Sequence, residues 1–285
     1  MMKKLLAMTV ALLLTLGLAA CAGKTSSEIV AVSREDGSGT RGAFIELFGV
    51  EQKDENGDKV DYTTLDAEFV NSTSVVIETV ANNENAIGYI SLGSLNDTVK
   101  ALQIDGADAT VENIKSGAYT IARPFNIAIQ AEISEAAQAF LDFILSAEGQ
   151  AVVEENNYIS SVDNAEPYAG STVSGKVVVA GSSSVTPVME KLKEAYALVN
   201  PNAEIEIQMS DSSTGVNMAI DGSCDIGMAS RELKDSELEK GVTPTVIALD
   251  GIAIVVNNNN ALGGLTTDQV RAVYMGEITD WSELQ

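Results

Sequence analysis

Twice along this chain a β-branched run breaks into a short Gly/Ser loop, which in turn opens a stretch of helical apolar spacing. Ile29-Val30-Ala31-Val32 leads into Ser33-Arg34-Glu35-Asp36-Gly37-Ser38-Gly39-Thr40-Arg41, and Val177-Val178-Val179-Ala180 leads into Gly181-Ser182-Ser183-Ser184-Val185-Thr186-Pro187. A small-residue loop at a helix N-terminus presents unpaired backbone N–H groups at the positive end of the helix dipole, where an oxyanion can be held. Two such loops predict one ligand gripped from two sides.

Strand-like and helix-like segments alternate through the rest of the chain, which indicates an α/β architecture. In the first half the pattern predicts a strand at 28–32, a helix after Gly39, an exposed acidic turn over 51–61, a helix over 74–82 and a strand over 86–90. Strands near 101–104 and at 125–130 follow, then helices over 136–144 and around 149–155. Residues 160–174, polar with Pro167, Gly170 and several Ser, read as a linker. The second half predicts strands at 176–180, 204–209, 225–228 and 245–256, with helices at 187–199, 215–220 and 267–275. There is no internal repeat.

The N-terminus sets the compartment. Lys3-Lys4 precede an apolar run from Leu5 to Ala20, and Leu18-Ala19-Ala20-Cys21 has the form of a bacterial lipoprotein cleavage signal. The expectation is a signal peptide over 1–21 ending at a lipidated Cys21, with 22–27 as a tether on the extracytoplasmic face. Cys224 then has no partner for a disulfide, and a small buried thiol is its expected state. With no His in the chain, a Ser-His-Asp hydrolase and a His metal site are excluded, and no Cys cluster points to metal or cofactor. A formal net charge of -24 argues against nucleic acid. Local hydrogen bonding at the loops would have to outweigh long-range repulsion of an anion, which salt screens beyond roughly 10 Å.

The segments GSSSVTP, SDSSTGV, DIGMASRE, LDGIAIVVN, GEITDWSEL, SREDGSGTR and AIGYISL together resemble the phosphate-binding lipoprotein of the bacterial phosphate ABC importer, the PstS family. The resemblance covers nearly all of 28–160 and 175–284, but with the two portions in reversed, circularly permuted order. It implies a two-lobed periplasmic-binding-protein-like α/β fold (type II), each lobe a mixed sheet flanked by helices, with ligand in the cleft between. The crossings are expected in the Arg123-Pro124-Phe125 segment and the 245–256 strand. One lobe would then comprise 28–124 plus 256–285, and the other 125–255 with its linker.

Under that resemblance Ser183, Ser184 and Ser212 donate to phosphate from one lobe, while Arg34, Ser38, Gly39 and Thr40 close on it from the other. A guanidinium suits this because its planar donors pair with two oxygens at once. Asp36 is expected to orient Arg34. Arg231 reads either as a second cationic contact or as a surface partner of Glu232 or Asp235, and Asp211 either as an acceptor in the site or as a cap for the helix from Gly215. Asn71-Ser72-Thr73-Ser74 reads as a helix cap, with a peripheral role in the cleft as the second option, and Trp281 as a packing residue. The implied function is a non-enzymatic, monomeric receptor that captures inorganic phosphate for a membrane permease. The alternatives are a receptor or sensor for another tetrahedral oxyanion (sulfate, molybdate), or a permuted fragment with impaired binding.

Overall fold

The computed structural model describes residues 27–284; the expected signal peptide, Cys21 and nearly all of the tether lie outside them. Eight strands make a continuous mixed sheet in the spatial order Ala203–Ser210, Gly175–Ser182, Ile226–Ala229, Ala122–Ile129, Thr243–Asn257, Ala86–Ser91, Val30–Arg34, Glu68–Val70. Val99–Ala101 and Ile159–Ser160 add to the long Thr243–Asn257 strand. Pairing is parallel at each flank and antiparallel through the middle. Among the parallel-paired strands, Val30–Arg34 and Ile226–Ala229 are almost wholly buried, whereas the edge strands Glu68–Val70 and Ala203–Ser210 remain largely unburied.

Two main hydrophobic cores divide this sheet into lobes. The first is built from residues between Ala31 and Ile121 together with those between Ile252 and Leu284. Phe44 stacks on Tyr89 at 4.0 Å between ring centroids, and Tyr274 meets Phe44 edge-on at 4.6 Å. The second is built from residues between Phe125 and Ala248, with Phe140, Phe143 and Tyr196 at its centre. A smaller cluster, including Ala180, Val216 and Ala219, seats the Ser212–Asp221 helix on the second lobe's strands.

The long strand joins the lobes. Thr243 to Gly251 pair with Ile129 to Ala122 in the second lobe, and Ile252 to Val256 pair with Ser91 to Ile87 in the first. The two ends of the described chain lie side by side, with a bridge between Glu28 and Asp280 and a hydrogen bond from Trp281 N to Ser27 O at 2.9 Å. Trp281 packs in the first core and donates its indole N–H to Asn85 O.

Three local expectations change. The first strand runs Val30–Arg34, two residues beyond its expected start and end, so Arg34 belongs to regular structure. The 51–61 segment is a hairpin of Glu51–Lys53 and Lys59–Asp61, because the Asp54 side chain caps its turn by accepting from the Asn56 and Asp58 N–H groups. Residues 161–174 contain no helix or strand, yet Tyr168 and Val173 pack on the second core, and Tyr168 N donates to Glu148 Oε2 at 2.7 Å.

Candidate functional site

Helices Gly39–Leu47 and Thr73–Asn82 of the first lobe, and Thr186–Val199 and Ser212–Asp221 of the second, all begin at one place between the lobes. They do so because the strands that precede them end there: Val30–Arg34 and Glu68–Val70 on one side, Gly175–Ser182 and Ala203–Ser210 on the other. Ligands of α/β sheets gather at such carboxyl ends. The helix starts add unpaired N–H groups and dipole charge.

The side chains there form a connected hydroxyl ring. Thr40 Oγ1 lies 2.7 Å from Ser184 Oγ, and Thr73 Oγ1 lies 2.9 Å from the same atom. Ser182 Oγ donates to Ser230 Oγ at 3.0 Å, and Ser212 Oγ accepts from the Ser230 N–H at 3.1 Å. Ser183 Oγ accepts from Arg34 Nη2 at 3.1 Å and from the Thr73 N–H at 3.4 Å. All of these residues are buried. The loops touch closely: a Cβ on Gly37 would stand 2.2 Å from Asp211 Oδ1, and one on Gly39 would stand 2.3 Å from Ser212 Oγ. Ser213 N donates to Gly37 O at 3.2 Å, tying the two helix starts backbone to backbone.

Arg34 is the cation of the ring, only 2% exposed. Its Nε and Nη2 form a fork on Glu35 at 2.8 and 2.7 Å, which leaves Nη1 for Thr73 Oγ1 at 3.4 Å and a second use of Nη2 for Ser183. Tyr89 Oη receives the Arg34 backbone N–H and contacts Ser33 Oγ; burial raises its phenol to about 12, so it stays protonated.

Ser183, Ser184, Ser212, Arg34, Gly39 and Thr40 are therefore brought together. Ser38 is adjacent, but its hydroxyl serves as the helix cap and accepts from Arg41 N at 3.3 Å. Asp36 does not orient Arg34. It is exposed in the turn after the strand and pairs with Arg41, and Glu35 takes the orienting role. Arg231 pairs with neither the Glu232 nor the Asp235 carboxylate; it forks onto Glu237 Oε1 and Oε2 at 2.8 Å each and reaches only Ser213 Oγ on the site's margin. Burial pushes the Glu237 carboxyl upward, but hydrogen bonds from Arg231 and the Lys234 N–H outweigh it and leave the group below its ordinary range. Asp211 caps the Ser212–Asp221 helix, one turn earlier than the expected start at Gly215, and accepts from Thr214 N and Oγ1 at 2.8 and 2.6 Å.

Ser182 and Ser230 are ring members that no sequence signal singled out, and Thr73 realises the second option for its segment, a place in the cleft. Ser72 does cap its helix, by accepting from Val75 N, but the next residue points its hydroxyl into the ring. Ser230 lies within DIGMASRE, one place before Arg231. Among the described residues no group of His, Cys, Asp and Glu is placed to hold a metal ion. Cys224 is buried, and burial pushes its thiol up to about 11. A guanidinium, hydroxyls that donate or accept, and converging helix starts suit a small tetrahedral anion. No nucleophile–base pair is assembled in the ring.

A family model described as a PBP superfamily domain matches residues 20–148 and 166–285. The phosphate-binding protein PstS 2 of Streptococcus agalactiae serotype V is 58% identical over 272 residues, 94% of this chain and 92% of that protein. The phosphate-binding protein PstS 2 of Streptococcus pneumoniae serotype 4 is 43% identical over 291 residues, 99% of each. A crystal structure of the phosphate-binding protein of a phosphate ABC transporter from Streptococcus pneumoniae TIGR4 is 44% identical and superposes with a TM-score of 0.71, covering 90% of this chain and 100% of that one.

Proposed function

Because this chain belongs to the PstS family of phosphate-binding proteins, we propose that its hydroxyl ring is the phosphate site and that Arg34 is its anchoring cation. The chain is the substrate-binding component of a phosphate ABC transporter and works on the extracytoplasmic side. This phosphate reading is favoured over a receptor for sulfate or molybdate. The observation that carries the site is the Arg34 contact with Ser183 at 3.1 Å, a buried cation of one lobe meeting the Gly/Ser loop of the other at the start of several helices. A phosphate among these groups would exchange the hydroxyls' bonds to one another for charge-assisted bonds to its oxygens, which are roughly twice as strong. Thr40, Thr73, Ser183, Ser184, Ser212 and Ser230 are the proposed hydroxyl contacts, with backbone N–H groups of Gly39 and Thr40 at the helix start. Asp36, Asp211 and Arg231 are proposed as supporting residues outside direct contact, each already engaged by another group.

The remaining features follow the same reading. A permease receives the phosphate, Cys21 carries the lipid, and the chain acts as a monomer that binds without catalysis. A single alignment spans 99% of this chain and of the Streptococcus pneumoniae PstS 2 protein, so the two share one order of their portions. We read that order as a circular permutation of the family pattern, permitted because residues 28 and 280 are neighbours in space. Calorimetric titration of residues 22–285 with phosphate tests the proposal: one saturable site is expected, with sulfate and molybdate competing poorly. The absence of phosphate binding would sink it.

A further inference from the structure

The hydroxyl ring is closed on one side and open on another. Where the Gly39–Leu47 and Ser212–Asp221 helices begin, the lobes touch: Ser213 N donates to Gly37 O at 3.2 Å, and neither Gly37 nor Gly39 has room for a Cβ. Around Thr73 and Ser183 the lobes part instead. These two residues, whose hydroxyls Arg34 reaches with Nη1 and Nη2, border a cavity of about 300 Å³ that opens toward solvent.

The wall of this cavity differs in kind from the ring. Ile77 of the first lobe and Pro187 and Met209 of the second make it largely apolar, Ser74 and Ser94 add hydroxyls, and no charged residue lines it. Met209 lies on the edge strand Ala203–Ser210 and is 57% exposed. A water's share of liquid volume is about 30 Å³, so the space is that of roughly ten waters, enough for a short alkyl or hydroxyalkyl group.

A site selects bare phosphate over its esters by setting a clash or an unpaired charge where the ester group would go. On the side of Gly37 and Gly39 the opposing lobe supplies that clash. On the side of Thr73 and Ser183 neither device is present. A substituent leaving the anion there would enter uncharged space and bury its carbons against apolar side chains, which is favourable. A second phosphate group would be rejected, because no cation in the wall could compensate its buried charge.

We infer that the ring and this cavity together accept phosphate monoesters with a small uncharged substituent. Arg34 and the hydroxyls hold the phosphate head, and the substituent lies against Ile77, Pro187 and Met209. The inference rests on the phosphate-binding reading for the head group, and on the cavity for the substituent.

Calorimetric titration of the chain with inorganic phosphate, ethyl phosphate and pyrophosphate tests it. Ethyl phosphate should compete for the same single site with an affinity within about tenfold of that of inorganic phosphate, and pyrophosphate should not compete. Met209→Trp, at an exposed position outside the ring, narrows the cavity; it should weaken ethyl phosphate about tenfold and leave inorganic phosphate unchanged. Binding of inorganic phosphate without ethyl phosphate would overturn the inference and leave the phosphate reading intact, and so would tight binding of pyrophosphate. If Met209→Trp weakens both anions equally or neither, the substituent does not occupy this cavity and the inference fails. Binding of neither anion by the parent chain would defeat the phosphate reading, and this inference with it.

Discussion

Arg34 and Arg231 sit on opposite lobes, both nearly buried and both forked onto a glutamate, and only Arg34 also reaches hydroxyls of both lobes. Arg34 shares its fork with Glu35 and still reaches Thr73 and Ser183, hydroxyls from two other helix starts. Arg231 spends both terminal nitrogens on Glu237, with its remaining contacts to the Glu232 carbonyl and Ser213. Burial, charge and an acidic partner are thus common to both. The difference is what the guanidinium faces after its carboxylate is satisfied: a convergence of hydroxyls and helix starts for Arg34, the short Asp235–Leu238 helix and its flanking loop for Arg231. A buried ion pair of the second kind adds little net stability, but breaking it is costly because a charge is left without its partner.

Arg34→Met separates the two roles most strongly. It should weaken phosphate binding about 1,000-fold by calorimetry, the loss of two charge-assisted hydrogen bonds at about 2 kcal/mol each. Arg231→Met should act on folding instead. Leaving Glu237 unpaired should cost about 3 kcal/mol, read as a melting temperature lower by about 6 °C or more, with phosphate affinity unchanged. Should Arg231→Met abolish binding as Arg34→Met does, the distinction drawn here fails. Thr73→Val sharpens the Arg34 side, since it removes one hydroxyl while Ser72 continues to cap the helix. An affinity loss of about fivefold is expected, near 1 kcal/mol for a neutral hydrogen bond, and no loss would take Thr73 out of the site.

The proposed site residues legible in the sequence are those whose position follows from a local rule. Arg34, Gly39, Thr40, Ser183 and Ser184 lie in strand-to-helix loops, and such a loop announces itself by composition over a few residues. Asp36 departs from its expected role over the same short range. The strand continues to Arg34, so Glu35 is left beside the guanidinium while Asp36 enters the turn and meets Arg41 from the first turn of the helix. Thr73 and Ser230 follow from pairing between distant segments. Arg34 lies opposite Val70 in parallel register, which starts the Thr73–Asn82 helix beside the guanidinium. Gly181 lies opposite Met228, which brings Ser230 to Ser182. Register between strands is not written into either strand alone. The same holds where the long strand passes between the lobes, with Asp250 opposite Arg123 joining residues separated by 127 positions.

The amino-acid sequence by itself determined the α/β class, both Gly/Ser strand-to-helix loops and the family, because these depend on local periodicity, small-residue loops and recurring short segments. Tertiary structure alone decided which arginine reaches the hydroxyls of both lobes, which hydroxyls complete the ring and where the long strand changes partners. Those outcomes depend on which strands lie side by side and on what water can still reach, and both are properties of the folded chain as a whole.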